Sequence, residues 1–189
     1  MYGFINTQCL VLHCTDLEYF PDDIDQFIAL CDQKGFISQE DRGLEKNYYL
    51  TGDRFLQLVT FMGCSPYLKI YPEHDEDTNY CSVYIPDAPQ AVEFITSTQA
   101  KRPFCPDCRK ALDINIKTLA ADKRLVCPHC HKEFQANELD WRRNAGFINF
   151  AITISQVFPK EAIPTDKFLS WLATITKRKW KYFYTDFSV

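Results

Sequence analysis

Apolar and polar positions alternate along this chain with two periods. Residues 3–14, GFINTQCLVLHC, are a β-branched, apolar run that predicts a buried strand. In 21–35, PDDIDQFIALCDQKG, the residues Ile24, Phe27, Ile28 and Cys31 recur at helical spacing. Acids crowd the start of that stretch, and Gly35 is placed to end the helix. The same stripe in Phe55, Leu58, Val59 and Met62 predicts a second helix over 53–62, closed by Gly63. Residues 64–79 carry two prolines and the acidic run EHDED, and read as a loop. Strands are expected at 79–86 and 91–98. Over 145–156, Ile148, Phe150, Ile152 and Ile154 alternate with Asn149, Ala151, Thr153 and Ser155, as a strand with one face in a core. A helix follows, with Thr165 as N-cap and Phe168, Leu169, Leu172 and Ile175 as its stripe, and the aromatic stretch WKYFYTDF (180–187) reads as a closing strand.

These elements predict an α+β fold, an antiparallel sheet covered by two or three helices. Residues 1–100 and 136–189 would build one body around an insertion at 101–135. The tetrapeptide GFIN occurs at 3–6 and again at 146–149, and the ungapped offset of 143 gives 8 identities over the 32 positions 3–34. A duplicated strand–connection–helix unit would make the body a ferredoxin-like sandwich. Against that, the two helical stripes are one residue out of phase.

The insertion carries the strongest short signal. FCPDC (104–108) and VCPHC (126–130) place Cys105, Cys108, Cys127 and Cys130 in a C-x2-C-x18-C-x2-C pattern. Two cysteines three apart on a tight turn aim both sulfurs at one point, and two such knuckles complete a tetrahedron. Between them ALDINIK alternates as a hairpin strand should, and LAADKR supplies the reversal. On these two CP-x-C knuckles, residues 102–134 resemble zinc-ribbon modules. The resemblance implies that the four cysteines bind one structural Zn²⁺; iron is the main alternative at a four-cysteine site. Four thiolates fill every tetrahedral position, so the metal is expected to hold structure and not to do chemistry. His129 and His131 flank Cys130 and are expected on the knuckle surface.

Composition limits the rest. The chain has 189 residues, enough to bury a core without disulfides. Nine cysteines is an odd number, and the N-terminus has neither a basic nor an apolar signal region, so free thiols in the cytoplasm are expected. No stretch is apolar enough to span a membrane. Charge is uneven: residues 1–100 hold 5 Lys/Arg against 16 Asp/Glu, net −11, and residues 101–189 hold 16 against 9, net +7. The basic half contains WRRNAGF and KRKWKYFY, cations interleaved with Trp141, Trp180, Tyr182 and Tyr184.

Three function classes follow. The first is a non-enzymatic zinc-binding protein whose ribbon meets a protein partner through Arg109, Lys110, His129 and His131. The second binds nucleic acid through the basic ribbon and the basic aromatic segments, with Arg142, Arg143, Lys179 and Lys181 on phosphates. In that reading the aromatic side chains face outward; the opposing one puts them in the core. The third is an enzyme with Cys64 as nucleophile and His74 as base, weakened because a helix C-terminus raises a thiol's pKa. Cys9, Cys14, Cys31 and His13 have no metal-site spacing, and EHDED lacks the ligand period of a calcium loop. The phosphate-loop, dinucleotide, HExxH and GxSxG motifs are all absent.

Overall fold

The computed structural model describes residues 8–39, 45–62, 68–73, 79–98, 101–116, 119–158 and 160–186. Strand β1 (Cys9–Cys14) is buried at all six positions because it lies inside a sheet covered on both faces. That sheet is antiparallel and six-stranded, in the order β12 (Trp180–Thr185), β1, β10 (Ala151–Ser155), β5 (Ser82–Tyr84), β3 (Tyr48–Thr51), β2 (Ile37–Ser38). On one face Leu10, Leu12, Cys14, Ile152 and Ile154 pack with Phe27, Ile28 and Cys31 of α1 (Ile24–Gln33) and with Phe168 and Leu172 of α3 (Asp166–Thr176). On the other, Val11, Ala151 and Phe183 meet Ile95 of β6 (Glu93–Thr96), which pairs with β9 (Ala145–Ile148).

Both long helices form where their stripes predict. Asp23 caps α1, accepting from Gln26 N–H at 2.9 Å, and Thr165 caps α3, accepting from Phe168 N–H at 3.2 Å. At the end of α1, Gly35 adopts φ +75°. Its N–H donates to Asp32 (2.7 Å), and Phe36 N–H donates to Cys31 (3.0 Å). This left-handed stop satisfies two terminal carbonyls and turns Phe36 into the core.

Three expectations are corrected. The helix over 53–62 lasts one turn, α2 (Phe55–Leu58), and Val59 begins β4 (Val59–Phe61), paired with β11 (Ala162–Pro164). Leu58 C=O accepts from Thr165 N–H (2.8 Å) and Met62 N–H donates to Glu161 (2.8 Å), so a ladder replaces the helical bond these groups would share. Met62 is left 65% exposed. The strand over 145–156 is two strands, broken at Asn149 and Phe150. Ile148 packs on the β6 side while Phe150, Ile152 and Ile154 face the helices. The third correction concerns the insertion. Of ALDINIK, the described residues 111–116 form no strand, and among them only Ala111 bridges, to Phe104. Leu112 N–H bonds back to Pro103 (2.8 Å), and the hairpin of the module is instead β7 (Arg124–Val126) with β8 (Glu133–Gln135), around the second knuckle.

β10, α3 and β12, with β1 between the two strands, make the split strand–helix–strand unit that a ferredoxin-like half requires. The first half does not close the same way, since β5 and β3 stand between β10 and β2. The first GFIN, at 3–6, lies outside the described residues. Among the described residues no helix is long and apolar enough to cross a membrane.

Candidate metal centre

The two knuckles are built alike. Arg109 N–H donates to Cys105 C=O (3.1 Å), and His131 N–H to Cys127 C=O (2.9 Å). Cys105 N–H donates to Lys110 C=O, and Cys127 N–H to Lys132 C=O, both at 2.9 Å. Arg109 and His131 take the same left-handed conformation, φ +57° and +61°. Each turn therefore folds its two cysteines inward by the same backbone bonds, and a Lys132–Asp107 ion pair of 2.6 Å ties one knuckle to the other.

The four sulfurs lie within 4.8 Å of one another, with Cys105–Cys130 at 3.8 Å and Cys108–Cys127 at 3.6 Å. Tetrahedral bonds of about 2.3 Å to zinc would put sulfurs about 3.8 Å apart, so the cluster has the size of a metal–thiolate site. The donor set and its spacing fit a metal ion. Among the described residues this is the one cluster of metal-ligating side chains.

Backbone N–H groups point at the sulfurs. His129 N–H donates to Cys127 Sγ at 3.4 Å, and the N–H groups of Lys110 and Lys132 face Cys108 and Cys130. Burial pushes the Cys127 thiol up, but the N–H groups of Cys130 and His129 and the neighbouring thiols outweigh it and pull it down to about 6. Cys108 and Cys130 go the other way: against the N–H groups of Lys110 and Lys132, burial and bonds to the other thiols push Cys108 up to about 12 and raise Cys130, so among these three the thiolate character is confined to Cys127.

The module is anchored through its own small core. Leu112, Leu119, Phe134, Leu139 and Trp141 pack with Ala145 and Phe147 of β9 and with Phe94 of β6. Phe94 contacts Trp141 and Phe147, each with ring centroids 4.9 Å apart.

Arg109, Lys110, His129 and His131 are exposed beside the knuckles. Arg142, Arg143 and Lys181 converge on one cavity, which Pro106 of the first knuckle also lines. Lys179 is exposed and does not line it. The aromatic residues proposed as outward faces are mostly inside. Trp141, Trp180 and Tyr184 are buried, Trp180 Nε1–H donates to Thr176 Oγ1 (2.9 Å), and Tyr184 O–H donates to Ala162 C=O (2.8 Å). Only Tyr182 is part-exposed.

Cys64, His74 and the rest of EHDED (73–77) after Glu73 lie outside the described residues. Cys9, Cys14 and Cys31 are buried and form no metal cluster. Burial pushes Cys9 up to about 12 and raises Cys14 and Cys31 as well, which makes them poor nucleophiles.

The Asp107–Lys132 pair escaped the sequence reading, though the matched offsets of the knuckles contain it. Comparison with protein-family models, with curated proteins and with solved structures finds no match.

Proposed function

We propose that the four cysteines hold one structural Zn²⁺ and that the protein is a non-enzymatic binding protein whose ribbon docks a protein partner. The observation that supports this most is the closure of the site. Four thiols, from two turns built by the same backbone bonds, gather within 4.8 Å of one another and suffice to fill a tetrahedral shell. When bound, zinc supplies a fixed crosslink between the knuckles. Cys105, Cys108, Cys127 and Cys130 hold it, and the surrounding N–H groups orient the sulfurs. The outer face combines the cations Arg109, Lys110 and Lys132 with His129, His131 and Val126, the last 60% exposed. Lys132 is paired with Asp107 and Val126 stands opposite Glu133 in the β7–β8 ladder, so Arg109 and Lys110 are the cations this reading offers to an acidic partner surface.

Two measurements test this reading. Metal analysis of protein purified under reducing conditions should give one zinc per chain. A partner captured by the zinc-loaded chain should be lost on Arg109→Ala/Lys110→Ala/Val126→Ser, with zinc content unchanged. Capture indifferent to that triple substitution would remove the knuckle face from the function. The nucleic-acid reading has less support, because Trp141, Trp180 and Tyr184 offer no free ring to stack a base. Salt-sensitive binding of labelled single-stranded DNA or RNA would restore it.

A further inference from the structure

The chain leaves the metal module through the turn Trp141–Arg142–Arg143–Asn144. Asn144 N–H donates to Trp141 C=O at 3.1 Å, and the two central residues have φ of +48° and +64°. This is a mirror-image turn, whose central positions favour Asn-Gly. Arginine pays a steric cost at either position. The surroundings enforce the geometry. Arg142 N–H donates to Asp140 Oδ1 (2.8 Å), and the Asn144 side chain donates to the carbonyls of Trp141 and Arg142 (3.0 Å each). Arg143 C=O accepts from Tyr184 N–H (3.0 Å).

The two guanidiniums are also held. Arg142 lies 3.5 Å above the Phe104 ring and Arg143 lies 4.4 Å above Tyr182. Stacking fixes a guanidinium plane and leaves its N–H edges free for an oxyanion. Neither arginine has a carboxylate partner among the described residues. Lys181, Lys160 and Lys101 line cavities that open on the same turn. Two carboxylates, Asp140 and Glu138, line the first cavity as well, and each is oriented by a backbone N–H, of Arg142 (2.8 Å) and of Gln135 (2.6 Å). A cavity of about 480 Å³ runs from Arg142 and Arg143 to His13, and Trp141 lines it. Trp141 is 6% exposed, yet its Nε1–H has no hydrogen-bond partner. Two guanidiniums fixed by stacking at the edge of a cavity, where with Lys181 the cations outnumber the two carboxylates, offer their free N–H edges to an oxyanion.

We propose that the Arg142–Arg143 turn binds a phosphorylated small molecule, its phosphate on the two guanidiniums and its organic body in the cavity against Trp141. The volume is in the range of small-ligand sites. A nucleic-acid strand is the weaker occupant, since the cations gather on one turn and no row of free rings continues from it. Among the described residues, Arg142 and Arg143 are the one pair of adjacent non-glycine residues that both take positive φ.

The test uses the zinc-loaded full chain. Adenosine monophosphate and inorganic phosphate are the probes, acetate at equal ionic strength is the control, and binding is read on the indole N–H resonance of Trp141, assigned with Trp141→Phe. Adenosine monophosphate and phosphate should move that resonance saturably, and acetate should not. Arg142→Asn/Arg143→Gly installs the preferred turn residues. It should leave Tm unchanged or raised and weaken phosphate binding by roughly 10- to 100-fold. A lowered Tm with this variant would mean the arginines serve the fold, and would overturn the proposal. So would a resonance that does not saturate, a response unchanged by the variant, or single-stranded oligonucleotide binding where the mononucleotide does not.

Discussion

The body and the metal module sit in one chain but are held by different forces. The body buries Phe36, Phe55, Phe150, Phe168 and Phe183 almost completely between helices and sheet. Its stability comes from apolar area removed from water. In the module the residues with no exposure at all are Cys105, Cys127 and Ala136. Two of those three belong to the four-cysteine cluster. In a segment of this size apolar surface is scarce, and the cysteines share its small cluster with Leu112, Leu119, Phe134 and Leu139. One chain thus shows what a core does when it can be large, and what replaces it when it cannot.

The largest effect should come from taking the metal away. Structural zinc contributes apparent binding free energies of about 10–16 kcal/mol in small modules. Chelation, or Cys105→Ser with Cys127→Ser, should abolish hydrogen-exchange protection in β7 and β8 while β1, β10 and α3 keep theirs. If β1 and α3 lose protection in step, the two regions are one cooperative unit and the comparison fails. Acid should act in the same direction, because protonated thiols release the metal.

Next comes the converse. Phe150 makes edge contacts with Tyr19, Phe20, Phe27 and Trp180. Phe150→Ala should cost about 3–5 kcal/mol in denaturant unfolding of the body. Zinc content without denaturant should stay at one per chain.

His13 lies at the seam, in the cavity between the regions. Burial, and secondarily the charge of Lys181, depress its pKa to about 4, against the pull of its bond to Cys14 C=O. Above pH 6.5 it is neutral whether folded or unfolded. As pH falls from there to about 4, the unfolded chain takes a proton that the folded chain refuses. Stability should drop by about 3 kcal/mol across that window and level off below it. In His13→Gln the slope between pH 4 and 6.5 should be shallower than in the parent protein. Equal slopes would show that His13 is solvated in the fold.

The smallest effect tests one cap. Thr165→Ala should lower body stability by about 1 kcal/mol, read as a shift in the denaturation midpoint, without touching zinc affinity.

Much of this was legible because it is local. A stripe repeating every three or four residues and ended by Asp23, Gly35 or Thr165 carries its own boundaries. The cysteine spacing carries its own geometry. What escaped depends on distant partners. Val59 and Met62 fit a helical stripe, and only the pairing with β11, about a hundred residues away in sequence, turns Val59 into strand and leaves Met62 exposed just past its end. Ile148 and Phe150 fit one alternating face until the bend between them sends β9 to the other side of the sheet. Leu112, Ile114 and Ile116 alternate as a strand would, but no neighbouring strand receives them. For the tryptophans, composition suggested cations beside exposed rings, and only packing against Phe94 and Phe150 shows that Trp141 and Trp180 face inward.

The bond from Tyr184 N–H to Arg143 C=O has a further consequence. β12 is the outermost strand of the sheet, and the chain leaving the metal module lies along its open side. A long, aromatic outer strand with unpaired backbone is a template on which a second molecule can add its own strand. Loss of zinc would loosen the segment that shields it. Metal-depleted protein is therefore expected to self-associate through β12.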